Sequence, residues 1–117
     1  MEEMTVLVVD DHAGFRACAR HLLQREGCRV VAEAADGASG IARARELRPQ
    51  LVLVDVFLPD IDGFEVAARL ADLDAPPAVV VISSRDRSEL EPFIADSTAR
   101  GFVPKHELSR ESIEELL

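Results

Sequence analysis

The amino-acid sequence predicts an α/β fold, a five-stranded parallel sheet that is doubly wound with the strand order 2-1-3-4-5. Short apolar runs alternate strictly with amphipathic segments, as expected when helices cover both faces of a parallel sheet. Several runs are continuously apolar, which is typical of strands buried on both faces. The length of 117 residues suits one domain, which we expect to span residues 1–117.

Five apolar runs, each stopped by polar or turn residues, are the predicted strands. The third run leads directly into Asp55, and the loop after it contains Pro59 and Gly63. The second run is the least apolar, so we place it nearer an edge of the sheet. In chain order the predicted strands cover residues 5–9, 29–34, 51–54, 78–82 and 101–103.

Segments with helical spacing separate these strands. Gly27 ends the first helix, and Pro49 follows the second. In the fourth helix Pro92 is tolerated only in the first turn. Ser109 is the predicted N-cap of the fifth, with a hydrophobic pair around it at Leu108 and Ile113. The predicted inward faces are Phe15, Cys18, Ala19, Leu22 and Leu23; Ala38, Ile41, Ala42 and Leu47; Val66, Ala67, Leu70 and Ala71; Phe93, Ile94, Ser97 and Thr98; and Ile113, Leu116 and Leu117.

Composition narrows the classes of function. A formal net charge of −9 argues against direct binding of nucleic acid by this domain, because phosphate contacts need clustered Lys and Arg. No apolar run is long enough for a membrane span, and the start Met1-Glu2-Glu3 is acidic where a signal peptide is basic. Cys18 and Cys28 are predicted to be buried thiols rather than a disulfide. The expected compartment is the cytoplasm.

Polar side chains follow the strands at the points where they end. In the order 2-1-3-4-5 the first and third strands are neighbours, so Asp10, Asp11 and Asp55 should converge at one edge of the sheet. Three carboxylates at close range repel one another unless a cation joins them, and an all-oxygen site of this kind suits Mg²⁺. The hydroxyl of Ser83 closes the fourth strand, the ammonium of Lys105 follows the fifth, and together they complete a cradle for a phosphoryl group. Asp55, the central carboxylate, is the predicted nucleophile and would form an acyl phosphate.

With these motifs the chain resembles the receiver domains of two-component response regulators, whose fold is the flavodoxin-like (βα)5 arrangement. The resemblance rests on five motifs in order, which are specific only in combination. They are Asp10-Asp11 after the first strand, Asp55 after the third, Leu58-Pro59-x-x-Asp62-Gly63 after that, Ser83 after the fourth, and Gly101-Phe102-Val103-Pro104-Lys105 at the fifth. The opening Val9-Asp10-Asp11-His12 and the ending Gly101-Phe102-x-Pro104-Lys105-x-x-Leu108-Ser109 resemble regulators with a LuxR-type helix-turn-helix output domain.

The resemblance implies a phosphorylation switch rather than an enzyme. Asp55 would be the phosphoacceptor, and Asp11 and the carbonyl of Phe57 would bind Mg²⁺ directly, with Asp10 positioning water. Ser83 and Lys105 would take phosphoryl oxygens, and Phe102 would be the aromatic that turns inward in the active state. The implied partners are a sensor histidine kinase or a phosphotransfer protein, a C-terminal DNA-binding output domain, and a second copy of the chain on phosphorylation.

The sequence departs mildly from the commonest receiver pattern. Ser83 stands where Thr is more frequent, and Ser84 is an alternative for the same role. Phe57 and Arg85 occupy the two positions at which the resemblance implies tuning of dephosphorylation, and the bulk of Phe57 predicts slow hydrolysis.

Other interpretations of the sequence remain open. A phosphatase of the haloacid-dehalogenase type would want an acid where Phe57 stands, and a nucleotide carrier would want a loop rich in Gly, Ser and Thr in place of Asp10-Asp11. The strongest alternative is a receiver-like interaction domain that works without phosphorylation. The remaining polar candidates, read as turn, loop or surface residues, are Asp60, Asp62, His12, His21 and His106.

Overall fold

The computed structural model describes residues 3–117, and the Met1-Glu2 part of the acidic start lies outside them. Strands and helices alternate along the chain, so each helix lies between successive strands or after the last one. The strands are β1 (Thr5–Val9), β2 (Arg29–Ala34), β3 (Leu51–Asp55), β4 (Ala78–Ser83) and β5 (Gly101–Pro104). The helices are α1 (Ala13–Arg25), α2 (Gly37–Leu47), α3 (Gly63–Ala71), α4 (Arg87–Ala95) and α5 (Arg110–Glu114), with a 3₁₀ turn at Lys105–Glu107.

The five strands form one parallel sheet in the order β2-β1-β3-β4-β5, which confirms the predicted architecture. The register sets Val9 beside Val54, and Asp55 beside Ile82. Ser83 in turn pairs with Pro104. The ends of β1, β3, β4 and β5 are therefore level with one another, and the loops that leave them share one edge.

Two apolar layers cover the sheet. Helices α2, α3 and α4 pack on one face, and α1 and α5 pack on the other. In β3, Val52 and Val54 face the first layer, while Leu51 and Leu53 face the second. A strand that is apolar on both faces is buried on both faces, as the sequence predicted.

Several predicted inward positions are wrong, because the exact face of a helix depends on its packing partner. In α2 the buried residues include Gly37 and Gly40, where a Cβ would collide with Ile61 and Val9 respectively. These glycines let α2 lie close to Val9 of β1 and to Ile61 of the loop after β3. The predicted inward residues that are instead exposed are Cys18, Ala38, Ala42, Leu47, Ala71, Phe93, Thr98 and Leu117, whereas Cys28 is buried as expected.

Helix α4 is longer at its start than the sequence predicted. It begins at Arg87, so Pro92 is its sixth residue and lies beyond the first turn. A proline there has no N–H to donate to the carbonyl of Ser88, so the helix lacks one of its hydrogen bonds. Leu90 is the buried residue of this helix.

The residues that cap the helix ends agree with the predictions from the sequence more closely than the helix faces do. Ser109 caps α5 in a reciprocal capping box with Ser112. Gly27 has φ of 89° just after α1, the left-handed region that glycine enters without strain. Among residues 3–117 no helix combines the length and the apolar character needed to cross a membrane.

Candidate functional site

Two carboxylates are buried at the ends of adjacent strands. Asp10 follows β1 and is 0% exposed, and Asp55 ends β3 and is 4% exposed. They lie side by side because β1 and β3 are neighbours in the sheet. Burial raises the pKa of Asp55, and the negative charge of Asp10 raises it further. The neighbouring Lys105 lowers the pKa of Asp55 but does not cancel these two effects, so the site disfavours the ionised form of Asp55.

Lys105 supplies a positive charge from the start of the 3₁₀ turn after β5. Its Nζ lies 2.7 Å from Asp10 Oδ2 and 3.3 Å from Asp55 Oδ2, and 4.5 Å from the centroid of the Phe15 ring. Burial by itself lowers the pKa of Lys105, but the close contact with Asp10 and the charges of Asp55 and Asp10 outweigh it and raise the pKa. The ammonium is therefore charged at neutral pH and bridges the two buried carboxylates.

Four residues at this edge of the sheet carry atoms that could hold a metal ion. Ligand atoms of Asp10, Asp11, His12 and Asp55 all lie within 4.8 Å of one another. Asp10 Oδ2 is buried, and the Lys105 ammonium contacts it at 2.7 Å. Several carboxylate oxygens gathered at one point are the ligands that a hard divalent cation prefers, so these residues fit Mg²⁺.

His12 joins this cluster although the sequence assigned it a loop or surface role. It is exposed, and its Nδ1 lies 3.1 Å from Asp10 Oδ1 and 3.1 Å from Asp11 Oδ1. Its backbone N–H also donates to Asp10 Oδ1 at 2.8 Å. Helical spacing could not reveal these contacts of His12. The residue lies at the N-cap position of α1 without a capping bond from its side chain, and its ring contacts Asp10 and Asp11 of the preceding loop. Direct binding by Asp11 and water-mediated binding by Asp10 stay predictions.

The loop between β3 and α3 folds back under Asp55. The N–H of Gly63 donates to the carbonyl of Val56 at 2.8 Å, and a Cβ at Gly63 would collide with the carbonyl of Asp55. Glycine is therefore required where the chain returns. The N–H of Phe57 donates to Asp55 Oδ1 at 3.4 Å, so the backbone of Phe57 lies next to the buried carboxylate.

Asp60, which the sequence predicted to be only a turn residue, also connects two distant segments of the chain. Its carboxylate accepts hydrogen bonds from the N–H groups of Gly37 at 2.8 Å and Ala38 at 2.9 Å, at the start of α2. These bonds lower the pKa of Asp60 to about 2. Asp60 therefore ties the loop after Asp55 to a helix more than 20 residues earlier. Asp62, the other predicted turn residue, caps α3 by accepting from Glu65 N–H at 2.8 Å.

Ser83 and Phe102 are both buried, at 1% exposure each, whereas Ser84 is exposed. Ser83 Oγ accepts from the N–H of Arg85 at 3.0 Å. Phe102 already points inward in this structure. The guanidinium of Arg87 lies 5.6 Å from the centroid of its ring and donates from Nη2 to its carbonyl at 3.0 Å, so α4 is tied to this aromatic.

The two residues expected to tune dephosphorylation meet in space. The guanidinium of Arg85 lies over the ring of Phe57, 4.7 Å from its centroid. Both side chains are exposed, Phe57 at 49%. A cation over an aromatic face is a favourable contact, so the pair forms one exposed unit between the loops that follow β3 and β4.

Comparison with known proteins gives matches over nearly the whole chain. Residues 6–117 match the family described as the response regulator receiver domain. BvgA of Bordetella pertussis, described as a positive transcription regulator of virulence factors, is 41% identical over 108 residues, which are 92% of this chain and 52% of BvgA. The chain thus spans about half the length of the curated relatives that it matches.

Solved structures agree in fold and in part in sequence. The signal receiver domain of the response regulator NarL from Mycobacterium tuberculosis superposes with a TM-score of 0.86 at 30% identity, over 99% of this chain and 98% of that one. A two-component response regulator of the LuxR family from Aurantimonas sp. superposes with a TM-score of 0.85 at 28% identity, over 97% of this chain and 81% of that one.

Proposed function

This chain belongs to the family of response regulator receiver domains, with LuxR-family regulators among its matches, and from that premise we propose that Asp55 is its phosphoacceptor. One observation carries the proposal. Asp55, Asp10 and Lys105 meet at a single edge of the sheet, next to a cluster of oxygen donors that fits Mg²⁺. Reactive groups of opposite sign, brought together from three strand ends, are what transfer of a phosphoryl group to a carboxylate requires.

The reaction follows from the chemistry of these side chains. A carboxylate oxygen of Asp55 attacks phosphorus in line, a P–O bond to Asp55 forms, and the bond to the donor breaks with its electron pair leaving on the donor. Lys105, charged and mostly buried 3.3 Å from Asp55 Oδ2, would face the phosphoryl oxygens that gain negative charge. Ser83 would hold a further phosphoryl oxygen after transfer. The chain thus assists its own phosphorylation without being an enzyme that acts on another molecule.

The carboxylate cluster would hold the metal ion that this chemistry uses. Asp11, Asp55 and the carbonyl of Phe57 are the proposed direct ligands, and Asp10 the group that positions metal-bound water. When bound, Mg²⁺ supplies charge neutralisation to the phosphoryl oxygens. The burial of Asp10 and Asp55 side by side supports this assignment, since a cation relieves the repulsion between their charges, which also raises the pKa of Asp55.

The proposed response is a shift of the face formed by α4, β5 and α5. Ser83 would move toward the phosphoryl group, and the space beside it would favour Phe102 in its inward position. Because Phe102 is already buried in this structure, we propose that phosphorylation stabilises this arrangement of the aromatic rather than creating it. Arg87, which donates to the carbonyl of Phe102, would carry the change to α4.

Phe57 is proposed to lengthen the life of the acyl phosphate. It stands two residues after Asp55 with the guanidinium of Arg85 over its ring, so the pair limits the approach of water to this edge. Replacing Phe57 by Asn should speed hydrolysis, measured as loss of the phosphoryl adduct with time. An unchanged rate in Phe57→Asn would remove this assignment.

The partners follow from the family and from the length of the relatives. We propose that a sensor histidine kinase or phosphotransfer protein donates the phosphoryl group in the cytoplasm. The transcription regulators among the relatives are about twice as long as this chain, so a C-terminal DNA-binding domain is the proposed output, with a homodimer as the proposed phosphorylated assembly.

Intact mass spectrometry after incubation with Mg²⁺ and acetyl phosphate tests the phosphoacceptor directly. The wild-type chain should gain one phosphoryl group, and Asp55→Asn should gain none. Asp74→Asn is the matched control, because Asp74 lies in the loop between α3 and β4 at the opposite edge of the sheet. It should be phosphorylated like the wild type.

Removal of Mg²⁺ completes the test. The adduct should be absent without the ion. No adduct on the wild-type chain, together with no Mg²⁺ binding, would favour an interaction domain that works without phosphorylation. An adduct on Asp55→Asn would move the phosphoacceptor to another residue.

A further inference from the structure

The loop that carries Asp10 and Asp11 is held by a side chain that the proposed chemistry does not use. Arg16, in the first turn of α1, donates from Nη1 to the carbonyl oxygen of Asp10 at 2.5 Å. This carbonyl belongs to the planar peptide that joins Asp10 to Asp11. The bond therefore fixes the orientation of the backbone from which the Asp11 side chain projects.

Arg16 is itself held by Glu33 of β2. Arg16 Nε donates to Glu33 Oε1 at 3.2 Å, and the other oxygen of Glu33 accepts from Arg20 Nε at 2.7 Å. These contacts, led by the hydrogen bond from Arg20, lower the pKa of Glu33, so the carboxylate is ionised at neutral pH. A guanidinium has a fixed fork of donors, and Arg16 uses it to join Glu33 and Asp10 at once.

Helix stability does not account for Arg16 at this position. A positive charge in the first turn opposes the helix dipole, and the first turn of α1 contains no acidic residue to compensate it. The Arg16 side chain is 18% exposed, so it is packed along its length rather than solvated. The hydrogen bonds from the guanidinium to Glu33 of β2 and to the carbonyl of Asp10 compensate the unfavourable position of this charge in the helix.

We propose that Arg16 is a positioning residue, which holds Asp11 in its metal-binding orientation through the carbonyl of Asp10. The inference rests on the proposed function, because it concerns the same divalent-cation site. Asp10 is fixed by burial, whereas the side chain of Asp11 is 40% exposed, so its direction is set by its backbone and by its contact with the exposed ring of His12. Loss of Arg16 should therefore weaken cation binding without removing any ligand.

Arg20 provides a matched control one helical turn further along α1. It binds the same Glu33 carboxylate, but its Nη1 donates to the carbonyl of Val30 at 3.2 Å rather than to Asp10. If Arg16 only clamps α1 onto β2, substitutions of Arg16 and Arg20 will have the same consequences. If Arg16 positions Asp11, the two will differ in cation affinity.

The experiment titrates Mg²⁺ into the 117-residue chain and follows backbone amide shifts by NMR, for wild type, Arg16→Met, Arg20→Met and Asp11→Asn. Urea unfolding of each variant measures stability separately. We expect the Kd for Mg²⁺ to rise about 10-fold in Arg16→Met, as is usual when a partner of a metal ligand is removed. Arg20→Met should stay within about twofold of wild type. Asp11→Asn should lose most binding.

A conservative variant keeps the test decisive if Arg16→Met does not fold. Arg16→Lys retains the charge and the apolar stem but has no fork, so it should still bind Mg²⁺ more weakly than wild type. Wild-type affinity in the folded Arg16 variants would overturn the inference, and so would equal weakening in Arg20→Met. If the wild-type chain itself binds no Mg²⁺, the proposed function falls together with this inference.

Discussion

Helices α3 and α4 each contain nine residues and lie on the same face of the sheet, but they are held differently. In α3 the residues Gly63, Val66, Ala67 and Leu70 are buried, whereas in α4 Leu90 is buried. The side chain of Asp62 caps α3, and the N-cap of α4, Asp86, makes no side-chain hydrogen bond to it. Both helices follow strands whose ends carry the candidate site.

The difference separates a fixed part of the site from an adjustable one. The loop before α3 carries the residues next to Asp55, so firm anchoring of α3 keeps the reacting groups in place. The loop before α4 follows Ser83, and α4 itself contacts Phe102 through Arg87. Elements that move in a switch come from the less stable parts of a fold, and α4 has few buried contacts and lacks one backbone hydrogen bond at Pro92.

Truncation of the apolar residues should show the contrast most strongly. Leu70→Ala removes a fully buried side chain of α3 and should lower the free energy of unfolding by about 3 kcal/mol. Phe93→Ala in α4 removes a larger side chain that is 59% exposed, stacked on Phe64, and should cost about 0.5 kcal/mol. Urea unfolding followed by circular dichroism measures both, since the chain has no Trp or Tyr. Equal losses would show that α4 is anchored as firmly as α3.

Restoring the hydrogen bond that is missing at Pro92 should make α4 more stable and so closer to α3 in stability. Pro92→Ala restores an N–H for the carbonyl of Ser88 and should raise the free energy of unfolding by about 1 kcal/mol, after the gain in helix propensity is offset by a more flexible unfolded chain. Hydrogen exchange should slow in α4 and stay unchanged in α3. Pro76→Ala, in the loop before β4, is the control and should be slightly destabilising. A loss of stability in Pro92→Ala would contradict this account of α4.

The two N-caps allow a matched pair of smaller changes. Asp62→Ala leaves the N–H of Glu65 without its side-chain acceptor and should cost about 1 kcal/mol. Asp86→Ala removes no such bond and should change stability by less than about 0.5 kcal/mol. The same unfolding experiment compares them. A larger loss in Asp86→Ala than in Asp62→Ala would reverse the order of anchoring proposed for the two helices.

The smallest expected effect is the pH dependence of the hydrogen bonds from the start of α2 to Asp60, in the loop before α3. The pKa of Asp60 falls from 3.8 to about 2 on folding, so the stabilisation is present above pH 3.8 and is lost as the pH falls through about 2. Asp60→Asn should therefore be less stable than wild type at neutral pH, and the difference should disappear only below about pH 2. Unfolding midpoints measured across this range check the sign, with Asp74→Asn as the control. A difference that persists at the lowest pH would show that charge is not the cause.

Much of the site could be predicted because its residues occupy strand ends. Asp10, Asp55 and Lys105 follow apolar runs, and a parallel sheet brings such positions to one edge whatever the sequence between them. Residues that act across the fold gave no comparable signal. Asp60 bonds to Gly37, and Arg16 to the carbonyl of Asp10, through contacts that no local spacing encodes.

The buried faces of the helices could also be predicted only in part. Cys18 fits the apolar spacing of α1 and is exposed, and Pro92 was expected in a first turn and lies beyond it. Periodicity locates an apolar stripe to within a residue or two. Which edge of the stripe is buried depends on the shape of the partner, as the glycines of α2 illustrate.

The sequence by itself determined the strands, their parallel order and the edge at which the carboxylates gather, because these follow from local patterns and from the general rules of βα connection. Only the tertiary structure decided how deeply Asp10 and Asp55 are buried, which cation bridges them, and how Arg16, Asp60 and His12 contact the site. The physical reason is that burial and side-chain hydrogen bonds depend on distances between segments far apart in the chain, and those distances exist only once the sheet and its two helical layers have packed.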